Sequence, residues 1–133
     1  MRYLLDTNIL SALVRSPGGR VTEQIRRVGE AQIYTSVIVA AELRYGAARK
    51  ASERLSRQVE AVLGSIPIES WREPFDRTYA ELRLRLEQAG TPIGANDGLI
   101  GAQALADGSV LVTDNTREFE RITGLTIENW LRP

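Results

Sequence analysis

Met1-Arg2-Tyr3-Leu4-Leu5-Asp6-Thr7-Asn8 runs from an apolar triplet straight into three short polar residues. Tyr3, Leu4 and Leu5 read as a buried strand, and the pattern that follows predicts a helix over Ile9 to Arg15, with Thr7 or Asn8 accepting its orphan amide hydrogens. Asp6 then stands at the carboxyl end of the strand. In open α/β sheets that edge is where ligands bind, so acidic residues delivered there by other segments would meet Asp6.

At 133 residues, with 43% hydrophobic and 26% charged residues, the expected organisation is a single globular domain spanning 1–133. No apolar run approaches the ~20 residues that span a bilayer, and the first residues lack a charged-then-apolar leader pattern, so the expected compartment is the cytoplasm. The absence of cysteine removes disulfides, thiolate nucleophiles and Cys-based zinc sites. The absence of histidine removes imidazole acid–base catalysis and imidazole metal ligation. Chemistry must come from carboxylates, hydroxyls, arginines and the single Lys50. The net charge is zero, so bulk electrostatics points to no nucleic-acid partner, although a local basic patch is compatible with it. Sixteen of the seventeen basic residues are arginine, which suits phosphate recognition and equally follows from a skewed genome composition.

Helical and strand-like pieces alternate along the chain with no linker. Pro17-Gly18-Gly19 is a turn, and a polar helix covers about Val21 to Gly29. Ala31 to Tyr34 reads as a strand ending in the cap Thr35-Ser36, followed by helices over about Val37 to Lys50 and Ser52 to Leu63. Ile66-Pro67-Ile68 is short and broken by proline, which makes it an edge strand or a connection. A charged amphipathic helix from about Glu73 to Ala89 ends in Gly90-Thr91-Pro92-Ile93-Gly94, and another covers Asn96 to Ala106. Val110 to Val112 is a second clear strand, and Leu125 to Ile127 with Trp130 closes the tail. Strands separated by helices imply crossover connections, hence an α/β fold of three layers: a mostly parallel central sheet with helices on both faces.

Aspartate is scarce: of five, Asp6, Asp97 and Asp114 sit at element junctions beside apolar runs. Asp114 follows Val110-Leu111-Val112-Thr113 as Asp6 follows Tyr3-Leu4-Leu5, so two strands bring a carboxylate to one sheet edge. Taken singly, each also reads as a helix cap or turn residue. Glu42 lies on the third helix among Ile38, Val39, Tyr45 and Gly46, and a carboxylate in such surroundings must be paired or bind a cation. The pairing candidates are Arg44 and Arg49, of which Arg44 projects about 160° away at ~100° per residue. Asp97 opens a helix containing Gly98 and Gly101. Each glycine costs such a helix about 1 kcal/mol relative to alanine, so something must approach that surface closely. Asp97 also reads as a dipole partner at the helix N-terminus. Taken together, these carboxylates in a chain without His or Cys point to a hard-cation site, Mg²⁺ or Mn²⁺.

The set Leu5-Asp6-Thr7-Asn8-Ile9-Leu10, Ala41-Glu42-Leu43-Arg44-Tyr45-Gly46, Gly90-Thr91-Pro92-Ile93-Gly94-Ala95-Asn96-Asp97 and Val110-Leu111-Val112-Thr113-Asp114-Asn115-Thr116-Arg117-Glu118-Phe119, followed by Glu128-Asn129-Trp130, resembles the PIN-domain ribonucleases, specifically the VapC-type toxins of type II toxin–antitoxin systems. The resemblance runs over essentially the whole chain. It implies a metal-dependent endoribonuclease, using Mg²⁺ with Mn²⁺ as substitute, that cleaves RNA, including structured RNA such as tRNA, by metal-activated water. Asp6, Glu42 and Asp97 form the implied acidic core with Asp114 as fourth member, Asn115 and Glu118 being the alternatives for that position. A homodimer and a VapB-type antitoxin partner are implied as well. Gly98 and Gly101, where similar sequences more often carry larger residues, predict a looser helix on the metal side.

Thr7 and Thr113 are placed to orient the carboxylates, Asn8 to hold a water or a phosphate, and Arg117 to contact phosphate. Val59, Val62 and Leu63, beside Ala48 and Leu55, predict a dimer surface on the middle helices. Two other functions fit acidic residues at strand ends. One is a receiver-type signalling domain, which needs a lysine near the acids, and the other a catalytically silent module of the same fold.

Overall fold

The computed structural model describes all residues, 1–133. Its frame is a five-stranded sheet, β1 (Tyr3–Leu5), β2 (Ile33–Ser36), β3 (Ile68–Glu69), β4 (Val110–Val112) and β5 (Thr126–Glu128), in the order β3-β2-β1-β4-β5. Every pairing is parallel, with Tyr3 opposite both Ile33 and Val110, Thr35 opposite Ile68, and Leu111 opposite Ile127. The sheet is therefore wholly parallel, one step beyond the expected mostly parallel arrangement. β1 is central because Leu4 and Leu5 are fully buried and helices cover both of its faces.

Seven helices surround the sheet: α1 (Thr7–Arg15), α2 (Arg20–Val28), α3 (Val37–Arg49), α4 (Glu53–Gly64), α5 (Phe75–Gln88), α6 (Ala95–Asp107) and the short α7 (Thr116–Phe119). α1 begins two residues before the predicted start, because the Asp6 carboxylate itself caps it by accepting from Thr7 N at 2.8 Å. β2 begins at Ile33 and runs through the expected cap to Ser36, because Glu30–Gln32 form a 3₁₀ turn. The Ser36 hydroxyl still caps α3 by accepting from Ile38 N, and Ser52 caps α4 by accepting from Leu55 N. β3 is the expected edge strand, reduced to two residues. Thr35 N donates to Pro67 O at its start, so the proline needs no ladder donor of its own.

One apolar cluster on both sheet faces unites all the layers, with Leu4, Leu5, Ile9, Leu10, Ile100 and Leu111 at its centre. Val59 and Leu63 belong to this core and Val62 is half-buried against it, which corrects the expected dimer surface on those residues. The large apolar side chains left exposed on the middle helices are Val37 and Tyr45 of α3. The glycines of α6 are tight, not loose: a Cβ at Gly101 would lie 2.6 Å from Ile122 Cδ1, and one at Gly98 would lie 3.1 Å from the Tyr79 ring. α6 thus packs directly against α5 and the segment after α7, and this fixes its N-terminal residue Asp97 relative to the sheet.

Candidate active site

After β1 the chain steps outward to β2 and β3, then returns past β1 to β4 and β5 on the other side. The reversal leaves a crevice beyond the carboxyl ends of β1 and β4, the position at which doubly wound sheets bind ligands. An open cleft of about 440 Å³ lies there, and Asp6, Glu42, Asp97, Asp114 and Asn115 all line it. Four segments far apart in sequence, the ends of β1 and β4 and the helices α3 and α6, therefore bring the predicted carboxylates to one cleft.

Asp6, only 4% exposed, is the fixed point of the site. Thr113 Oγ1 donates to its Oδ2 at 2.7 Å and Thr7 N to its Oδ1 at 2.8 Å. Burial raises its pKa, and these two hydrogen bonds act against that shift. Glu42 projects from α3 and accepts from Thr7 Oγ1 at 2.5 Å and from Asn96 Nδ2 at 3.3 Å. Neither arginine considered for Glu42 pairs with it: Arg44 binds Glu60, and Arg49 lies over the Tyr45 ring. Asp97, in the first turn of α6, accepts from Asn115 Nδ2 at 3.1 Å. Burial, followed by the hydrogen-bonded Glu118 and the nearby Asp6 and Glu42 charges, pushes its pKa up to about 7. Glu118 moves the opposite way, chiefly through its hydrogen bond with Asp97 and then through the Asn115 amide.

Asp114 is placed differently from the other three. It reaches the cleft rim, but its Oδ1 accepts from Asn129 Nδ2 at 2.9 Å and Arg132 Nε at 3.2 Å, and these bonds hold its pKa low. Asn115, one residue on, donates from one amide nitrogen to both Asp97 and Glu118, at 3.1 and 2.7 Å. Of the alternatives weighed for the fourth position, Asn115 and Glu118 thus face Asp97, while Asp114 is tied to the tail. Thr7 and Thr113 orient the carboxylates as expected. Asn8 does not present its carbonyl to a ligand, because Asn8 Oδ1 accepts from Asp114 N at 3.1 Å and joins α1 to the end of β4.

Two residues of the site lay outside the sequence reading. Asn96 steadies Glu42, and Arg15 lines the cleft, whereas Arg117 does not. The signal for Arg15 was present in the spacing Thr7, Ser11, Arg15, which puts all three on one face of α1.

The donor chemistry fits a hard divalent cation. Asp6, Glu42 and Asp97 offer oxygen ligands only, and none forms an ion pair with a basic side chain. Their mutual repulsion is part of what raises Asp97. No three of the acids are converged on a single point; they stand around the cleft, with room between them.

Fold and site together define an α/β protein with a hydroxyl-braced acidic cleft at the switch point of a parallel sheet, suited to a divalent cation and a phosphodiester. The chain belongs to the PIN domain family, whose model matches residues 3–125. Within that family it groups with the VapC ribonucleases. It is 38% identical to Ribonuclease VapC2 of Rickettsia felis, over 98% of each chain. It is 30% identical to the tRNA(fMet)-specific endonuclease VapC of Shigella flexneri, again over 98% of each. The solved VapBC2 complex of Rickettsia felis, bound to a promoter DNA fragment, contains a chain that superposes with a TM-score of 0.90 at 35% identity, covering 98% of this chain and 99% of that one. The receiver-type alternative falls on topology, since receivers order their strands 2-1-3-4-5 and this sheet runs 3-2-1-4-5. No helix is long and apolar enough to cross a membrane.

Proposed function

We propose that residues 1–133 act as one PIN domain, the toxin of a type II toxin–antitoxin pair, and hydrolyse RNA in the cytoplasm with Mg²⁺, or Mn²⁺ in its place. One observation carries this reading: Asp6, Glu42 and Asp97 line one cleft at the sheet's switch point, with hydroxyl and amide partners but no cationic one. Such a cluster is poorly suited to an idle module, because its repulsion is left unopposed. Asp6, Glu42 and Asp97 would hold the ion. Glu118 and Asn115 complete the set beside Asp97, and Asp114 stands at the rim.

The chemistry an ion supplies there when bound is activation of a water and neutralisation of charge on the scissile phosphate. The chain's own residues set the stage. Thr113 and Thr7 N donate to Asp6 and so favour its ionised form against the effect of burial, and Thr7 Oγ1 and Asn96 aim Glu42 into the cleft. Asn115 holds Asp97 and Glu118 side by side. With no histidine in the chain, no imidazole is available to move a proton from a ribose 2′-hydroxyl.

Structured RNA such as tRNA is the proposed substrate, supported by the tRNA(fMet)-specific relative. A VapB-type antitoxin is the proposed protein partner, supported by the VapBC complexes among the similar structures. A homodimer is proposed as well, and exposed Val37 and Tyr45 on α3 offer it apolar surface. Incubating purified protein with tRNA(fMet), with Mg²⁺ and with EDTA, tests the reading. Cleavage in Mg²⁺ alone is expected; equal cleavage in EDTA would refute the metal role.

A further inference from the structure

α1 carries two kinds of chemistry on one face. Thr7, Ser11 and Arg15 recur every fourth residue and all three line the acidic cleft. Thr7 at the first turn donates to Glu42, while Arg15 in the last turn stands about 12 Å further along the helix axis. Among the cleft's lining residues Arg15 is the sole cation. It neutralises none of the acids, for it takes part in no ion pair and in no side-chain hydrogen bond, whereas Arg132 in the tail is bound to Asp114.

A second groove, of about 250 Å³, continues from the cleft between α1, α3 and α4 and shares Thr7, Ser11, Arg15 and Glu42 with it. Lys50, the residue that caps the C-terminus of α3, lines this groove and likewise has no carboxylate partner. Two helix C-termini thus bring unpaired cations to one side of the acidic cluster. A guanidinium at a helix C-terminus is favoured by the helix dipole wherever it points, and that alone would explain its position in the sequence. It does not explain why Arg15 lines the cleft and why Lys50, from another helix, extends the same line.

An RNA strand approaching three carboxylates meets repulsion at the site of cleavage, so its binding energy must come from phosphates on either side. A guanidinium offers a phosphate two parallel N–H donors, and a free one needs no existing pair to be broken. We propose that Arg15 binds a substrate phosphate flanking the scissile one, and that Lys50 binds the backbone further along the groove. The assignment rests on the ribonuclease reading and adds the direction in which the substrate leaves the acidic cluster.

Steady-state cleavage of tRNA(fMet) in Mg²⁺, followed at several KCl concentrations, tests it with wild type, Arg15→Ala, Arg15→Lys and Lys50→Ala. Loss of one charge-assisted phosphate contact is expected to raise KM of Arg15→Ala roughly tenfold while kcat stays within about twofold. The slope of log kcat/KM against log salt should become shallower by about 0.7 to 0.9 for the lost contact. Arg15→Lys should recover the salt slope and most of KM, and Lys50→Ala should move both in the same direction by less. Melting temperatures should be unaffected, since both side chains are exposed. Unchanged KM and salt slope in Arg15→Ala, with wild type active, would overturn the phosphate assignment alone. A fall in melting temperature that Arg15→Lys repairs without restoring the salt slope would overturn it too, by making Arg15 structural. Wild type unable to cleave RNA would remove the ribonuclease reading and this inference together.

Discussion

Thr113 Oγ1 donates to Asp6 Oδ2 at 2.7 Å, joining the ends of β4 and β1 across 107 residues of sequence. Both residues are buried, so the bond is shielded from water and favours the ionised form of a carboxylate whose pKa burial raises. Thr113→Val keeps the shape and removes the donor. It is expected to cost about 1–3 kcal/mol of stability and to weaken Mn²⁺ binding by roughly 10–100-fold. Thermal melts and a Mn²⁺ titration followed by calorimetry check both figures. A variant that binds Mn²⁺ as tightly as wild type would show that Asp6 needs no such support.

Asp97 makes the metal-free protein sensitive to pH in a definite direction. Its folded pKa is about 7 against an ordinary 3.8, so between those values the folded state holds the proton more tightly than the unfolded state does. The contribution is fully present below 3.8, declines as pH rises, and is gone above about 7. Asp97→Asn removes this dependence. In EDTA the variant should therefore gain melting temperature relative to wild type as pH increases through that window. Mg²⁺ or Mn²⁺ should stabilise wild type more than the variant, because the cation relieves clustered charge. A pH-independent difference between the two proteins would mean that Asp97 is not desolvated among the other acids.

Asp114 and Glu118 should not be equivalent. The Asp114 carboxylate is occupied by Asn129 and Arg132 at the protein surface, whereas Glu118 is coupled to Asp97 through the Asn115 amide. Asp114→Asn breaks an exposed pair worth about 0–1 kcal/mol and should leave RNA cleavage within a fewfold of wild type. Glu118→Gln should lower cleavage by roughly 10–100-fold, the usual cost of disturbing a partner of a metal ligand. Initial rates of the two variants under identical Mg²⁺ separate the cases, and an Asp114→Asn as impaired as Asp97→Asn would return Asp114 to the centre of the site.

These contrasts mark how far the sequence reading could reach. β1 and β4 were legible because Tyr3-Leu4-Leu5 and Val110-Leu111-Val112 are short apolar runs buried on both faces, and each ends in a polar residue. Glu42 was legible because a lone carboxylate on an otherwise apolar helical face needs a partner. The orientation of Asp114 was not, because it is set by Asn129 and Arg132 in the tail, and local pattern carries no information about a partner 15 or 18 residues away. Glycines 98 and 101 announced a close approach, but the approaching side chains, Tyr79 and Ile122, belong to other elements. The apolar residues of α4 looked surplus only because the depth of the groove between α1 and α3 cannot be read from periodicity.

The ends of the cut RNA give an independent view of the chemistry. Cleavage through the ribose 2′-hydroxyl calls for a general base and acid, a role usually filled by histidine, and the chain has none. Products are therefore expected to carry 5′-phosphate and 3′-hydroxyl termini, with the 2′-hydroxyl taking no part in the bond change. Mass spectrometry of fragments from purified protein distinguishes these from 2′,3′-cyclic phosphates, whose appearance would contradict hydrolysis by water.

The claim that Asp6, Glu42 and Asp97 form a cation-holding catalytic cluster meets its most direct test in the rate of RNA cleavage by Asp97→Asn in Mg²⁺. The substitution preserves shape and removes one ligand charge, so the variant should melt at or above the wild-type temperature. Its cleavage rate should fall by about 100-fold or more, beyond the loss expected from a residue that only supports a ligand. Cleavage within a fewfold of wild type would mean that Asp97 serves merely as the first-turn acid of α6, and that the catalytic centre lies elsewhere.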